Sequence, residues 1–135
     1  MNHVKYSEDI GNGGELVVAR HGWLLKYYWP GPDMRYNGTF KNVPGREIDR
    51  YIKAWESNFQ KFQELKKVLP KGGEYVEKGL MGMEIRVNTF LSEGVCLESY
   101  HCCVSDASKL RKMVASYEMA KEKAPVIQAM LAKLP

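Results

Sequence analysis

The densest group of potentially reactive side chains is the run Ser99-Tyr100-His101-Cys102-Cys103. Hydroxyl, imidazole and thiol groups serve proteins as nucleophiles, as acids or bases and as metal ligands. Because successive side chains of a strand point to opposite faces, His101 shares a face with Ser99 and Cys103. If His101 meets Cys103, the two form a Cys–His nucleophile pair. The interpretation we favour is a buried, hydrogen-bonded histidine among structural thiols.

Too few candidate ligands are present for a metal ion. A zinc site requires three or four converging ligands. The only histidines besides His101 are His3 and His21, and the sequence contains no Cys-x-x-Cys or His-x-x-x-His spacing. The run Gly11-Asn12-Gly13-Gly14 precedes a strand-like segment rather than a helix, so it predicts a turn and not a phosphate-binding loop. We therefore expect no metal and no cofactor.

The three cysteines, Cys96, Cys102 and Cys103, are expected to be thiols. Along one continuous strand of ~3.3 Å per residue, Cys96 and Cys102 would lie about 20 Å apart, beyond the reach of a disulfide. Cys102 and Cys103 are adjacent and point to opposite faces. Because the chain also lacks a signal-peptide-like beginning, these thiols predict a reducing, cytoplasmic location.

The composition is that of one globular domain spanning residues 1–135. Hydrophobic residues make up 44% of the chain and charged residues 27%, which is an ordinary globular balance. No apolar run approaches the roughly 20 residues that cross a bilayer, so no membrane partner is expected.

The net charge of +4 is too scattered to predict nucleic-acid binding. The excess of Lys and Arg lies in residues 105–135, where Glu118 and Glu122 interrupt it. Nucleic-acid sites show a denser basic stripe with aromatic side chains. The scattered pattern is instead typical of a solvated helix face.

Two strand pairs are predicted. Residues 15–20 and 23–28 form a hairpin around His21-Gly22, which places Val18 opposite Leu25 on the more apolar, buried face. Residues 81–91 and 95–104 form a second hairpin around Ser92-Glu93-Gly94, which places Ile85 opposite His101. Short additional strands are expected at residues 6–10 and 74–77.

A helix with apolar residues at three- and four-residue steps follows each hairpin. The first runs from Ile48 to Leu69, and the second begins with Ser105 or Asp106 as its N-cap and is kinked or restarted at Pro125. The predicted fold class is α+β. Its architecture is a two-layer sandwich, an antiparallel sheet of four to six strands with both helices on one face, in the order β(β)βα-β(β)βα.

The predicted buried face is not wholly apolar. Thr89, Ser99 and His101 occupy positions where Val or Leu would be ordinary, and buried polar groups need partners. Aromatic residues of the first hairpin and of the facing helix would complete an aromatic cleft for a small ligand. The predicted ligand-binding residues are Trp23, Tyr27, Tyr51, Trp55, Thr89, Ser99 and His101. An ordinary aromatic core with a satisfied histidine is the competing interpretation.

The segment 29–42 is predicted to be a long loop. Loops of more than about 12 residues in a compact domain are usually functional or disordered, and this one is rich in the residue types found at interfaces. The predicted interface residues are Trp29, Met34, Arg35, Tyr36 and Phe40. A loop packed on its own core is the alternative.

These observations favour a small, non-enzymatic binding domain of the cytoplasm, which engages a small ligand or a protein partner through the cleft and the loop. Its surplus of aromatic and methionine residues and the frequency of two-fold assemblies favour a homodimer. One alternative is a small enzyme with His101 as its acid or base. Another is a protein that regulates or neutralises a partner protein.

Overall fold

The computed structural model of the chain describes residues 4–28, 39–91, 93–97 and 102–135. These residues form two antiparallel four-stranded sheets and two helices, in the order ββββα-ββββα. The α+β class is therefore confirmed. The expected single sheet of four to six strands is not, because the described strands lie in two sheets of four.

The chain divides into two compact units. Unit 1 comprises Met1–Ile48 and Ala115–Pro135, and unit 2 comprises Asp49–Val114. Each unit has a sheet of its own, and a single domain over residues 1–135 stays a prediction.

Unit 1 contains the first sheet, a meander whose strands neighbour one another in chain order. The strands are β1 (Lys5–Gly11), β2 (Gly14–Ala19), β3 (Gly22–Tyr28) and β4 (Thr39–Pro44). The turn predicted between β1 and β2 is confirmed, since Asn12 and Gly13 have φ angles of 57° and 78°, as a two-residue hairpin turn requires. The last residues of the predicted 29–42 loop belong to β4, because they pair with β3.

The register between β2 and β3 differs from the predicted one. Val18 lies opposite Trp23 instead of Leu25, because the two-residue turn is Arg20-His21 and not His21-Gly22. A slip of two residues keeps every side chain on its original face. The predicted buried face is therefore confirmed, although its pairs are not.

The pair Gly14 and Tyr27, at the end of this hairpin away from the turn, is consistent with the observed register. Gly14 lies opposite Tyr27, and a Cβ at Gly14 would come within 3.0 Å of the Tyr27 ring. A larger residue opposite Tyr27 would displace the ring. The buried apolar residues of these strands are Ile10, Leu16, Val18, Leu25, Tyr27 and Val43.

The second helix, α2 (Ala107–Ala132), contributes residues 115–132 to unit 1. The Tyr117 ring lies 6.4 Å from that of Tyr27, and Lys123 forms an ion pair with Glu8 on β1. The helix continues through Pro125, so a restart there is wrong, whereas a kink at Pro125 stays a prediction. Its N-cap is Asp106, whose carboxylate accepts a hydrogen bond from the Lys109 backbone at 2.8 Å, as predicted.

Unit 2 contains the second sheet, another meander in chain order. Its strands are β5 (Glu74–Lys78), β6 (Glu84–Asn88), β7 (Val95–Cys96) and β8 (Cys103–Val104). The first helix, α1 (Ile48–Val68), is confirmed. Its buried apolar residues in this unit, Tyr51, Ile52, Ala54, Trp55, Phe59 and Phe62, follow the spacing of one helix face.

The predicted second hairpin is wrong in its pairing. Ile85 lies opposite Val95 instead of His101. After Leu97 the chain reverses, with the Leu97 N–H donating to the Cys102 carbonyl at 3.1 Å, and β8 returns alongside β7. The segment 95–104 therefore supplies two short strands in place of one long strand.

Gly94 permits this arrangement. Its backbone lies against the carbonyl of Val104, where a Cβ would come within 2.1 Å of the oxygen. Val95, Cys96 and Leu97 are all buried, so the alternation expected of a half-exposed strand is absent from this stretch.

Candidate functional site

The residues of the predicted cleft are distributed over both units. Trp23 and Tyr27 belong to unit 1, whereas Tyr51, Trp55 and Thr89 belong to unit 2. Ser99 and His101 lie outside the described residues. The pairing that aligned Thr89, Ser99 and His101 on one face is wrong, because Ile85 pairs with Val95.

Three of the four aromatic side chains are buried. The exposed fraction is 1% for Tyr27, 3% for Tyr51 and 0% for Trp55. The indole N–H of Trp55 is buried and has no acceptor among the residues that the structure describes. A ligand-binding role for these side chains stays a prediction.

Thr89 stabilises a turn. Its hydroxyl oxygen accepts a hydrogen bond from the Gly72 N–H at 2.5 Å, and its own backbone N–H donates to the Gly73 carbonyl at 3.1 Å. These contacts connect the end of β6 to the turn that follows α1.

Most of the predicted interface residues belong to the segment before β4. Trp29, Met34, Arg35 and Tyr36 lie outside the described residues, and Phe40 is a residue of β4. Their role at an interface stays a prediction.

The cysteines overturn an expectation. Cys96 and Cys103 lie opposite each other on β7 and β8, with their Cα atoms 4.0 Å apart, and form a disulfide. The predicted separation assumes one continuous strand, and the reversal after Leu97 removes that assumption. The expectation of three thiols is therefore wrong, and the Cys103 sulfur is not available for a nucleophile pair with His101.

Cys102 retains its thiol. It is buried, and burial raises the pKa of this thiol to about 12. The thiolate is the reactive form of cysteine. Cys102 is therefore protonated at neutral pH and is a poor nucleophile.

Metal ligands do not converge in the described part of the chain. Among those residues, no group of three or more His, Cys, Asp or Glu side chains could hold a metal ion. No described helix combines the length and the apolar character of a membrane span.

One surface of unit 1 has the shape of a binding site. On the face of the first sheet that is turned away from α2, Val17, Leu24 and Pro44 lie opposite one another on β2, β3 and β4. They form an apolar row across three strands. Beside this row, Ala19 lies opposite Gly22, and their small size leaves a groove of about 460 Å³, which we call the sheet-1 groove.

Trp23 also lines the sheet-1 groove, although it lies opposite Val18 and so belongs to the core face of the sheet. Trp23 is half-buried, and its indole packs on Gly45, where a Cβ would come within 2.5 Å of the ring. Glycine is therefore the residue that lets the indole lie this close to the backbone.

The rim of the sheet-1 groove is basic. Arg20, His21 and Arg46 line it, and both His21 and Arg46 are exposed. The guanidinium of Arg20 donates to the Pro135 carbonyl at 2.9 Å, which fixes its direction. An apolar floor beside a cationic rim suits a partner that combines apolar side chains with carboxylates.

Part of the sheet-1 groove can be recognised in the sequence. Alternation in the first hairpin assigns Val17, Ala19 and Leu24 to the face opposite the core. The other face is more apolar, so the pattern directs attention there. Nothing in the pattern predicts that β4 adds Pro44 to the row.

Comparison of the chain with models of protein families, with curated proteins and with solved structures finds no match in any of the three. The function of the chain must therefore be inferred from its own structure.

Proposed function

We propose that the chain is a non-enzymatic protein-binding domain whose docking surface is the sheet-1 groove. The observation that carries this proposal is the apolar row of Val17, Leu24 and Pro44 beside a basic rim. The partner is a protein segment in extended conformation, with apolar side chains and carboxylates.

The shape of the groove favours a chain segment over a small molecule. Small-molecule sites enclose most of their ligand, whereas the sheet-1 groove is open along the sheet surface. The aromatic side chains Tyr27, Tyr51 and Trp55, expected to enclose a small ligand, are buried.

The charge of the rim favours an acidic partner. Arg46 is exposed, and its guanidinium can bind a carboxylate with two hydrogen bonds. The chain as a whole carries a net charge of +4, which speeds the approach of an anionic partner. A protein that regulates or neutralises its partner by binding it is one form of this function.

Three further parts of the proposal derive from the sequence. The loop residues Trp29, Met34, Arg35, Tyr36 and Phe40 supply a second contact region, and the domain forms a homodimer. Its location is the cytoplasm. The Cys96–Cys103 disulfide counts against this location, because reducing compartments keep such pairs as thiols. The redox state of the pair in cells therefore tests it.

Titration of the labelled domain with a short synthetic peptide of alternating leucine and glutamate tests the proposal by nuclear magnetic resonance. We expect the largest shifts at the backbone amides of Val17, Gly22 and Leu24, and much smaller shifts with a peptide carrying lysine in place of glutamate. Equal shifts with both peptides, or shifts spread over both units, would contradict the proposal.

Two charge reversals provide the matched comparison. Arg46→Glu removes a rim cation and should weaken binding of the acidic peptide about tenfold, equivalent to about 1.4 kcal/mol. Lys53→Glu makes the same change at an exposed position of unit 2 and should change binding less than about threefold. Equal losses in both variants would show attraction to net charge only.

A further inference from the structure

The strand β5 is an edge of the second sheet that no other described strand covers. It pairs with β6 on one side only, and none of its five residues is buried. The exposed fraction is 40% for Tyr75 and 52% for Val76. An exposed edge strand can pair with another chain.

The hydrogen bonds at the two ends of this ladder show which backbone groups point outward. The Gly79 N–H donates to the Met83 carbonyl at 2.6 Å, and the Gly73 carbonyl accepts from Thr89 at 3.1 Å. In an antiparallel pair such residues alternate along the strand. Glu74, Val76 and Lys78 therefore direct their N–H and C=O groups away from β6, toward the uncovered edge.

From this edge we infer that β5 pairs antiparallel with β5 of a second copy, with Val76 opposite Val76. This register places outward-directed residues opposite one another at every position, so about six main-chain hydrogen bonds form across the two-fold axis. It also places Glu74 opposite Lys78 of the second copy, twice by symmetry. Opposite charges in facing positions stabilise a strand pair.

Other registers lack this match. A shift by two residues in one direction places Glu77 opposite Glu77, and in the other direction places Glu74 opposite Val76. An in-register parallel pair aligns each charged residue with its own kind. Like charges in facing positions destabilise a strand pair, so the symmetric register with Val76 at its centre is favoured.

The two edge strands of the first sheet, β1 and β4, are poorer candidates. The register of β1 shifts between Asp9 and Gly11, and the register of β3 with β4 shifts between Tyr27 and Tyr28. Such irregularities protect sheet edges from pairing. β5 pairs with β6 without a shift. Pairing through β5 supplies the surface for the homodimer of the proposed function and does not depend on the sheet-1 groove.

Analytical ultracentrifugation of the full chain from about 10 µM to about 1 mM, the range that suits a small interface, tests the inference. We expect a monomer–dimer equilibrium that Val76→Pro abolishes. The Val76 N–H is directed away from β6, so the substitution removes no hydrogen bond within the unit, and circular dichroism verifies the fold. A wild type that stays monomeric throughout, or a dimer unaffected by Val76→Pro, would overturn the inference.

A charge exchange tests the register. Glu74→Lys places two lysines opposite each other and should weaken the dimer about tenfold. The double variant Glu74→Lys/Lys78→Glu restores opposite charges and should return the dimerisation constant to within about threefold of the wild type. A double variant as weak as the single one would show that these residues do not face each other.

The groove variant separates the two proposals. Arg46→Glu should leave the dimerisation constant unchanged, and Val76→Pro should leave binding of the acidic peptide unchanged. Loss of dimerisation in Arg46→Glu would contradict the β5 pairing. A wild type that dimerises but does not bind the acidic peptide would contradict the sheet-1 groove.

Discussion

Asn58 on α1 binds the backbone of Leu80 with both ends of its side-chain amide. Its Oδ1 accepts from the Leu80 N–H at 2.9 Å, and its Nδ2 donates to the Leu80 carbonyl at 3.0 Å. Gly79 approaches so closely that a Cβ there would contact Oδ1 at 2.4 Å. This one buried amide therefore stabilises the turn between β5 and β6, in which Met81 has a positive φ of 57°.

We expect Asn58→Ala to lower the free energy of unfolding by about 1–3 kcal/mol, because the two hydrogen bonds to Leu80 and one to the Met83 sulfur are lost and a buried gap remains. Urea titration measures the loss. Ser57→Ala, at an exposed neighbouring position, is the control and should change stability by less than about 0.5 kcal/mol. Gly79→Ala should be less harmful in the Asn58→Ala background, because its collision partner is gone. Additive effects of the two substitutions would contradict the close contact.

Reduction of the Cys96–Cys103 disulfide should destabilise the protein by about 2–3 kcal/mol, the value expected for a loop this short. The measurement is urea unfolding with and without dithiothreitol. Cys96→Ser/Cys103→Ser should match the reduced protein and be insensitive to dithiothreitol. An intact protein whose mass is unchanged by reduction would show that the bond is absent.

Cys102 should not react with iodoacetamide in the folded protein at pH 8. Its burial raises the pKa of the thiol to about 12, so the thiolate is scarce and also inaccessible. In urea the same residue should react readily, and mass spectrometry counts the added groups. Fast labelling of the native protein at Cys102 would contradict its burial.

The Glu8–Lys123 pair should make stability depend on pH in the acid range. A hydrogen bond from Lys123, and a second from Tyr6, lower the pKa of the Glu8 carboxyl. The stabilisation is therefore complete above the ordinary pKa of glutamate, and it is lost as the pH falls through the lowered value. Stability measured from pH 7 to pH 2 should fall more in the wild type than in Glu8→Gln. Glu122→Gln removes an equal charge from an exposed position and should resemble the wild type in slope.

Two glycines offer a test of the observed path of the chain after β6. Gly94→Ala places a methyl group against the Val104 carbonyl and should destabilise the protein by about 1–3 kcal/mol. Gly22→Ala places the same methyl group where no atom lies within 4 Å and should have little effect. Equal stabilities of the two variants, measured by thermal unfolding, would contradict the contact between Gly94 and Val104.

Long periodic segments are predictable from the sequence, and short ones are not. The spacing from Ile48 to Leu69 predicts α1, and the alternation in residues 15–28 predicts which side chains are buried. β7 and β8 have two residues each, which is too few to show a period. The pattern therefore predicts a single long strand. The wrong pairing of Ile85 with His101 and the wrong expectation that the cysteines lie too far apart for a disulfide both result from that prediction.

The candidate site is harder to predict because it depends on which strands become neighbours. The aromatic residues Tyr27, Tyr51 and Trp55 are recognisable as large side chains on apolar faces, but apolar faces build cores as readily as clefts. The sheet-1 groove exists because β4 places Pro44 beside Leu24. The strand that brings this neighbour begins within a segment predicted to be a loop.

The composition of unit 1 has a consequence for synthesis on the ribosome. Unit 2 is one continuous stretch, Asp49–Val114, whereas unit 1 is completed by Ala115–Pro135. The first sheet is therefore synthesised first, and the Tyr27 ring meets the Tyr117 ring only after the last part of the chain has been made. Nascent chains with uncovered apolar surface are prone to aggregate and are bound by chaperones. A released chain that ends at Val114 would hold all of unit 2 and only part of unit 1, so chaperone capture should map to residues 5–44.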